Sequence, residues 1–314
     1  MCAVFGYLDY KRKIENIILK KLIRNLSIAA EVRGTDATGI SYVNHEKVVT
    51  FKKAKPAHKV KLFFPRNTKC VIGHTRMTTQ GSEKYNYNNH PFDGRCGTET
   101  FSIAHNGVLY NDAELKAKYH LPKTQIETDS YVAVQLLEQE KQLHAESIKR
   151  MAESVEGSFV FTILRNDNTL FLVKGNNPLT IYHFPKIGIY VYASTKSILD
   201  NALQQVNLSD KCCEIDVSEG EILEIASNGK LSKTIFAMQD YTHSVFNPYN
   251  WYETEEQEEF LLEYCRMFGV SEEDVYLLLD YGFSADEIEE MLMNPNLLED
   301  ALAEISVLKQ EDAE

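Results

Sequence analysis

The spacing of apolar positions changes several times along the chain. Residues 3–8 (Ala-Val-Phe-Gly-Tyr-Leu) form a short unbroken apolar run, which reads as a buried strand. Between 13 and 32, Ile14, Ile17, Ile18, Leu22, Leu26, Ala29 and Ala30 recur every three to four residues and predict a helix ended by Arg33-Gly34. β-rich runs follow at 39–43, 47–51, 70–74 and 101–105. Between the last two, residues 77–100 are rich in Asn, Gly, Tyr and Thr and read as one long polar loop, a length that in a compact domain usually carries function. Thr128-Asp129 precedes a helix bearing Tyr131, Val132, Val134, Leu136 and Leu137, and 143–155 reads as another. Strands return at 158–164, 169–173, 179–182, 188–192 and 221–225, several separated by Gly or Asn. Many strands with two or three long helices predict an α+β fold of stacked antiparallel sheets covered by helices.

From about residue 251 the pattern becomes that of short amphipathic helices. Ser271 and Ser284 have the positions of N-caps, and Ser284 with Glu287 has the spacing of a capping box. Leu277, Leu278, Leu279, Ile288, Met291, Leu297, Leu298, Leu302 and Ile305 are the expected core of a small all-α segment, with 307–314 a frayed tail. Charge marks the same boundary. Residues 251–314 hold 20 Asp/Glu against 2 Lys/Arg, a balance of −18, whereas 1–250 hold 26 acids and 31 bases, a balance of +5. The expected organisation is therefore a main domain over 2–245 and an acidic helical domain over 251–306. Phosphates are repelled by such an acidic segment, which argues against nucleic acid as its partner and leaves a basic partner protein. Tyr281-Gly282-Phe283 between two such helices resembles a three-helix ubiquitin-associated-like module; the plainer reading is a solvated helical cap on the basic main domain.

At 314 residues, 44% hydrophobic and 25% charged, the composition is that of an ordinary globular protein able to bury a sizeable core. No stretch reaches the roughly 18–20 apolar residues of a membrane span, and no secretory signal pattern opens the chain, so a cytoplasmic protein is expected. The six cysteines (Cys2, Cys70, Cys96, Cys212, Cys213 and Cys265) match no zinc spacing, and five read as packing residues. Neither a metal nor a cofactor is expected, since there is also no glycine-rich phosphate loop or nucleotide-binding fingerprint.

Cys2 differs by position. Removal of Met1 leaves one residue with both a thiol and a free α-amine; the amine, with a reference pKa of about 7.7–8.0, serves as base to the thiol as nucleophile. The bland reading is an incidental cysteine. Three further segments change the balance. Gly73-His74-Thr75-Arg76-Met77-Thr78-Thr79-Gln80-Gly81 ends a strand in a polar turn with one Arg, which either caps the strand or holds a carboxylate. Ala104-His105-Asn106-Gly107-Val108 is either a simple turn or a pair of N–H donors aimed at one point, an oxyanion hole. Glu127-Thr128-Asp129-Ser130 is either a helix cap or a carboxylate placed for an ammonium. Together Arg76, Asp129, Cys2, Asn106 and Gly107 offer one cation, one anion, a nucleophile and paired donors. His74 and His105 read as packed or hydrogen-bonded histidines at strand ends rather than bases.

These segments, in this order, resemble the class II glutamine amidotransferases, which are N-terminal-nucleophile hydrolases. The resemblance begins at Met1-Cys2-Ala3-Val4-Phe5-Gly6. It continues through Arg33-Gly34-Thr35-Asp36-Ala37-Thr38-Gly39-Ile40, His74-Thr75-Arg76, His90-Pro91, His105-Asn106-Gly107 and Glu127-Thr128-Asp129. Weaker echoes stand at Gly157-Ser158-Phe159, Tyr192-Ala193-Ser194 and Glu219-Gly220-Glu221. It covers roughly 2–235 and is strongest to the glutaminase half of glucosamine-6-phosphate synthase. It implies a four-layer αββα sandwich. It also implies that Cys2 attacks the glutamine amide with its own amine as base, and that Asn106 and Gly107 form the oxyanion hole. Arg76, helped by Thr79, would bind the α-carboxylate, Asp129 would bind the α-ammonium, and a γ-glutamyl thioester would release ammonia and then glutamate. Met77 and Gln80 stand where the family often has Trp and His, positions that shape the pocket and its loop. Only about 80 residues follow this region, too few for a sugar-isomerase, phosphoribosyltransferase or synthetase half, so the expected ammonia acceptor is a separate enzyme. Two alternatives stand beside this: a partner-binding or regulatory protein that kept the fold, and an amidase for another γ-glutamyl substrate.

Overall fold

The strand β1 (Ala3–Asp9) is buried along its whole length, which explains why its sequence runs apolar from Ala3 to Leu8 rather than alternating. Ala3, Phe5 and Tyr7 face one apolar cluster, and Val4 and Leu8 another. A computed structural model of the chain describes residues 2–206, 208 and 210–238, and, beyond these, 261–262, 265–266, 268–281, 283, 285–292, 297–298, 301–303 and 305. The chain divides into two compact units, Met1–Gln239 and Asp240–Glu314.

In the first unit the strands are β1, β2 (Ala37–Asn44), β3 (Lys47–Lys53), β4 (Cys70–Arg76), β5 (Phe92–Cys96), β6 (Glu99–Leu109) and β7 (Gly157–Arg165). They continue with β8 (Leu170–Lys174), β9 (Thr180–Phe184), β10 (Ile189–Ala193), β11 (Cys213–Glu214), β12 (Glu221–Ile225) and β13 (Leu231–Ile235). The helices are α1 (Asn16–Ala29), α2 (Asp112–Lys118), α3 (Tyr131–Glu138), α4 (Ala145–Ser154) and α5 (Lys196–Gln204). One sheet has the order β11-β9-β10-β1-β4-β2-β3 and the other β13-β12-β8-β7-β6-β5. Their pairings are antiparallel.

Three apolar clusters set the layers. Val4, Ile72, Val160, Leu172, Tyr192 and Leu223 fill the space between the sheets. Leu22, Ile23 and Leu26 of α1 and Ile198 and Leu199 of α5 cover the outer face of the first sheet, against Phe5, Tyr7 and Val191. Val132 and Val134 of α3 and Ile148 and Met151 of α4 cover the second, against Phe159, Phe161 and Phe171. The result is the expected four-layer αββα sandwich of two stacked antiparallel sheets.

The differences from the sequence pattern are local. Residues 77–100 are not one loop, because Phe92–Cys96 pairs with β6. Its run Phe-Asp-Gly-Arg-Cys buries only the two ends, so the alternation is carried by two residues. The first helix stops at Ala29 and tightens into a 3₁₀ turn over Ala30–Arg33. Helix α2 is short and mostly polar, and β13 is exposed at an edge; neither leaves a periodic apolar signal.

In the second unit, Glu272–Asp280 and Ala285–Leu292 are helices. Ser271 caps the first, its hydroxyl accepting from the Asp274 N–H at 3.1 Å. Of the expected core, Leu278, Ile288 and Ile305 are buried, joined by Cys265 and Val275, whereas Leu297 is half exposed. Ser284, Gly282, the 245–251 boundary and the 307–314 tail lie outside the described residues.

Candidate active site

The pairing of β1 with β4 sets Ala3 opposite Thr75 and Val4 opposite His74, which brings Cys2 to the end of β4 where Arg76 stands. The half-buried Cys2 Sγ lies 3.4 Å from the Met77 carbonyl oxygen. Arg33 Nε donates to the Cys2 carbonyl at 3.0 Å. Burial pushes the Cys2 thiol up from its ordinary pKa; the positive charge of Arg76 works against that rise and the negative charge of Asp129 adds to it. Both charged residues therefore act on the thiol. A raised thiol needs a base to become a nucleophile.

The Arg33-to-Asp36 stretch is the splint for this arrangement. A Cβ on Gly34 would sit 2.4 Å from the Arg76 carbonyl carbon, so only glycine lets the two backbones meet. The Asp36 N–H donates to the Arg76 carbonyl at 2.9 Å, and its carboxylate accepts from the Thr78 N–H at 2.7 Å. One segment thus fixes the Cys2 carbonyl and the turn that follows Arg76.

Arg76 is buried. Its Nη1 donates to Asn89 Oδ1 at 2.7 Å, and its Nη2 to the carbonyls of Gln80 at 2.5 Å and Gly81 at 3.0 Å. Asp129 is buried as well; its carboxylate accepts from the Leu109 N–H at 2.6 Å and lies 3.4 Å from the Ser130 hydroxyl. Gln80 joins the two charged residues, since its amide oxygen accepts from the Asp129 N–H at 3.0 Å. Helix α3 begins after Ser130 with no side-chain cap, so neither Thr128 nor Asp129 serves as its N-cap. Thr128 instead donates to the Asn88 carbonyl at 2.8 Å, and the Asn88 amide bonds the Glu127 carboxylate at 2.7 Å. Thr79 and the body of Gln80 are exposed.

Asn106 and Gly107 lie on β6, across the sandwich from β4. His74 Nε2 meets the His105 carbonyl at 2.9 Å, tying the partner of Val4 to the residue before Asn106. The Asn106 carbonyl accepts from Asn177 Nδ2 at 2.8 Å. The Asn106 side-chain amide is fully buried, and neither its Nδ2 nor its Oδ1 meets a partner among the described residues. An unpaired buried amide costs about 1–3 kcal/mol. Gly107 has φ 141°, and a Cβ there would stand 1.9 Å from the Ser158 carbonyl oxygen. The Val108 N–H donates to the Ser158 hydroxyl at 3.2 Å, which accounts for the Gly157-Ser158-Phe159 echo. Ser194 accounts for another: its hydroxyl accepts from the Val4 N–H at 2.9 Å.

The histidines are packed rather than poised as bases. Burial lowers His74 to about pH 3, and lowers His105 and His90 as well. The rings of His74 and His90 lie 4.3 Å apart, and His105 Nδ1 meets the Ser130 hydroxyl at 2.7 Å. Among the described residues no group of three or more His, Cys, Asp or Glu is arranged to hold a metal ion. Arg33 opens a motif already quoted from the sequence, whereas Asn88, Asn89 and Asn177 enter the site without having been singled out there. Several of their bonds join residues far apart in the chain, Arg33 to Cys2, Asn88 to Glu127 and Asn177 to Asn106, which no local spacing encodes.

Comparison with known proteins agrees with this geometry. Residues 74–201 match the family model of a glutamine amidotransferase domain. Over 270 residues the chain is 27% identical to glutamine–fructose-6-phosphate aminotransferase (isomerizing) from Bacillus subtilis, covering 82% of this chain and 43% of that protein. Over 247 residues it is 29% identical to 7-cyano-7-deazaguanine synthase 2 from Sulfurisphaera tokodaii, covering 75% of this chain and 52% of the relative. The chain thus spans about half, or less, of the length of these relatives. Among solved structures, glutamine phosphoribosylpyrophosphate amidotransferase from B. subtilis superposes with a TM-score of 0.58 at 22% identity, over 76% of this chain and 50% of the other, a likeness of fold.

Proposed function

We propose that the chain is a class II glutamine amidotransferase, supported by the family match over 74–201 and the curated relatives, and that it hydrolyses the side-chain amide of glutamine through Cys2. Once Met1, which lies outside the described residues, is removed, the new α-amine takes the thiol proton and Sγ attacks the amide carbon. The oxyanion that forms is received by the Asn106 amide and the Gly107 N–H. Arg76 holds the α-carboxylate, with Thr79 and Gln80 on the loop beside it, and Asp129 holds the α-ammonium. The amine returns its proton to the leaving nitrogen, ammonia departs, and water cleaves the γ-glutamyl thioester to glutamate. Ammonia passes to a separate acceptor enzyme in the cytoplasm. A basic protein is the partner suited to the acidic helices.

The observation that carries this reading is the buried Asn106 amide, both of whose polar atoms lack a partner among the described residues, together with a Cys2 thiol on which one cation and one anion act. A fold does not retain a buried, unpaired amide for stability; its use is to bond a group that arrives later. The test is glutamate release by the Met1-free protein, with Cys2→Ala as control. Turnover abolished by that substitution supports the reading. A processed wild type that neither releases glutamate nor is labelled at Cys2 by a glutamine-like electrophile rejects it.

A further inference from the structure

We propose that Asn89 is the positioning residue that orients Arg76 for the substrate carboxylate through a neutral hydrogen bond, a role that rests on the glutaminase reading above. Asn89 lies in the polar stretch after β4, and its side chain is fully buried. All four of its hydrogen-bonding groups are engaged. Oδ1 accepts from Arg76 Nη1 at 2.7 Å, and Nδ2 donates to the Glu83 carbonyl at 2.7 Å. The main-chain N–H donates to Asn86 at 3.2 Å, and the main-chain carbonyl accepts from Lys52 Nζ at 2.6 Å. Lys52 also donates to the Pro91 carbonyl at 3.0 Å and lies over the Phe92 ring at 4.8 Å. The side-chain amide is therefore held between Arg76 and Glu83, while the main chain that carries it is anchored to Asn86 and to β3.

The chemistry of the acceptors matters as much as their placement. The three oxygens that accept from Arg76 are the Asn89 amide and the carbonyls of Gln80 and Gly81, all neutral. A buried guanidinium would ordinarily be matched by a carboxylate, which leaves little charge for a ligand. Here the directly bonded acceptors are neutral dipoles, which hold at most three of its five N–H donors; Asp36, Asp129 and Glu83 act on the charge only from a distance. Asn89 is the only side chain among those three acceptors, and so the one point where substitution can alter the hold. An aspartate there would match Arg76 with an internal anion and compete with the incoming carboxylate. Alanine would remove the tether on Nη1 and leave the charge.

The experiment compares Asn89→Asp, Asn89→Ala and wild type on two substrates: L-glutamine, and its α-amide, which lacks the carboxylate Arg76 would bind. Thermal unfolding of each variant is followed in parallel, because Asn89→Asp also sets an oxygen against the Glu83 carbonyl; Asn89→Ala keeps the test readable if Asn89→Asp does not fold. For Asn89→Asp the expected result is a tenfold or larger rise in KM for glutamine, with kcat changed less than threefold and KM for the α-amide changed less than threefold. For Asn89→Ala the same pattern is expected at about three- to tenfold. Equal shifts on both substrates, or an unshifted KM in a folded variant, overturn the positioning role while leaving the glutaminase reading intact. A wild type inert to glutamine overturns the reading and this proposal with it.

Discussion

Asp129→Asn separates the proposed binding role of Asp129 from its electrostatic effect on Cys2. The substitution is nearly isosteric, and the amide oxygen can still accept from the Leu109 N–H that now stands 2.6 Å from the carboxylate, so the fold is retained. What is lost is the negative charge. A hydrogen bond between charged groups is worth about 1.5–3 kcal/mol, and the burial of Asp129 puts this one at the upper end. About 3 kcal/mol corresponds to a rise in KM for glutamine on the order of a hundredfold. The thiol responds in the opposite sense. Asp129 raises the Cys2 pKa, so its neutralisation lowers that pKa and increases the thiolate present at neutral pH. Two assays read these effects: glutamate release against glutamine concentration, and the rate of Cys2 alkylation by iodoacetamide, a neutral reagent with no ammonium. Turnover at low glutamine should fall while alkylation accelerates. If both fall together the substitution has damaged the site generally, and if KM is unchanged Asp129 does not hold the ammonium; either result refutes the reasoning.

Three further outcomes follow from the same geometry. Asn106→Ala should lower kcat roughly 10²–10³-fold while leaving thermal stability unchanged or slightly raised, because the atoms removed have no partner in the described structure; a large loss of stability in calorimetry would assign the amide a structural role instead. Gly107→Ala, forced to φ 141° with its Cβ against the Ser158 carbonyl, should cost more than about 2 kcal/mol and lower Tm by at least ~5 °C; an unchanged melting curve would show that the backbone relaxes there freely. The lowered pKa values of His74, at about 3, and of His90 and His105 mean that the unfolded chain binds more protons than the folded one below about pH 6.5. Stability should therefore be fully present above that pH and fall as the pH drops, each histidine adding up to ~1.4 kcal/mol per pH unit. His90→Phe, which replaces a ring whose two nitrogens have no partner, should flatten that acid limb in urea titrations; an unaltered limb would remove His90 from the account.

The sandwich was legible because its central strands and covering helices carry strong periodic signals. β1 is an unbroken apolar run, and α1 places Leu19, Leu22, Ile23 and Leu26 on one face. The candidate site was legible in its short motifs, and the structure gives physical reasons for several of them. Gly34 allows the Arg76 backbone to close in, Asp36 caps the Thr78 turn, and Gly107 occupies a conformation other residues avoid. What escaped the sequence has equally physical causes. β5 buries only Phe92 and Cys96 and hides inside a polar stretch. Asn88 and Asn89 look like loop asparagines, yet both are fully buried and hold carbonyls, an arginine and a carboxylate. Asn177 reaches the Asn106 carbonyl from 71 residues away, a relation set by the stacking of the sandwich and not by spacing. The reading of Thr128 or Asp129 as a helix cap was locally reasonable, but the Asp129 carboxylate turns to Leu109 instead.

The central claim is that Cys2 is the nucleophile and that its own α-amine is the base, which makes activity conditional on the loss of Met1. The direct measurement pairs intact mass with glutamine turnover on preparations that differ in N-terminal processing. Glutamate release should scale with the fraction of chains beginning at Cys2, and a glutamine-like electrophile should label that residue in the same proportion. Equal turnover by chains that retain Met1 would contradict the account, because in them the proposed base is locked in a peptide bond.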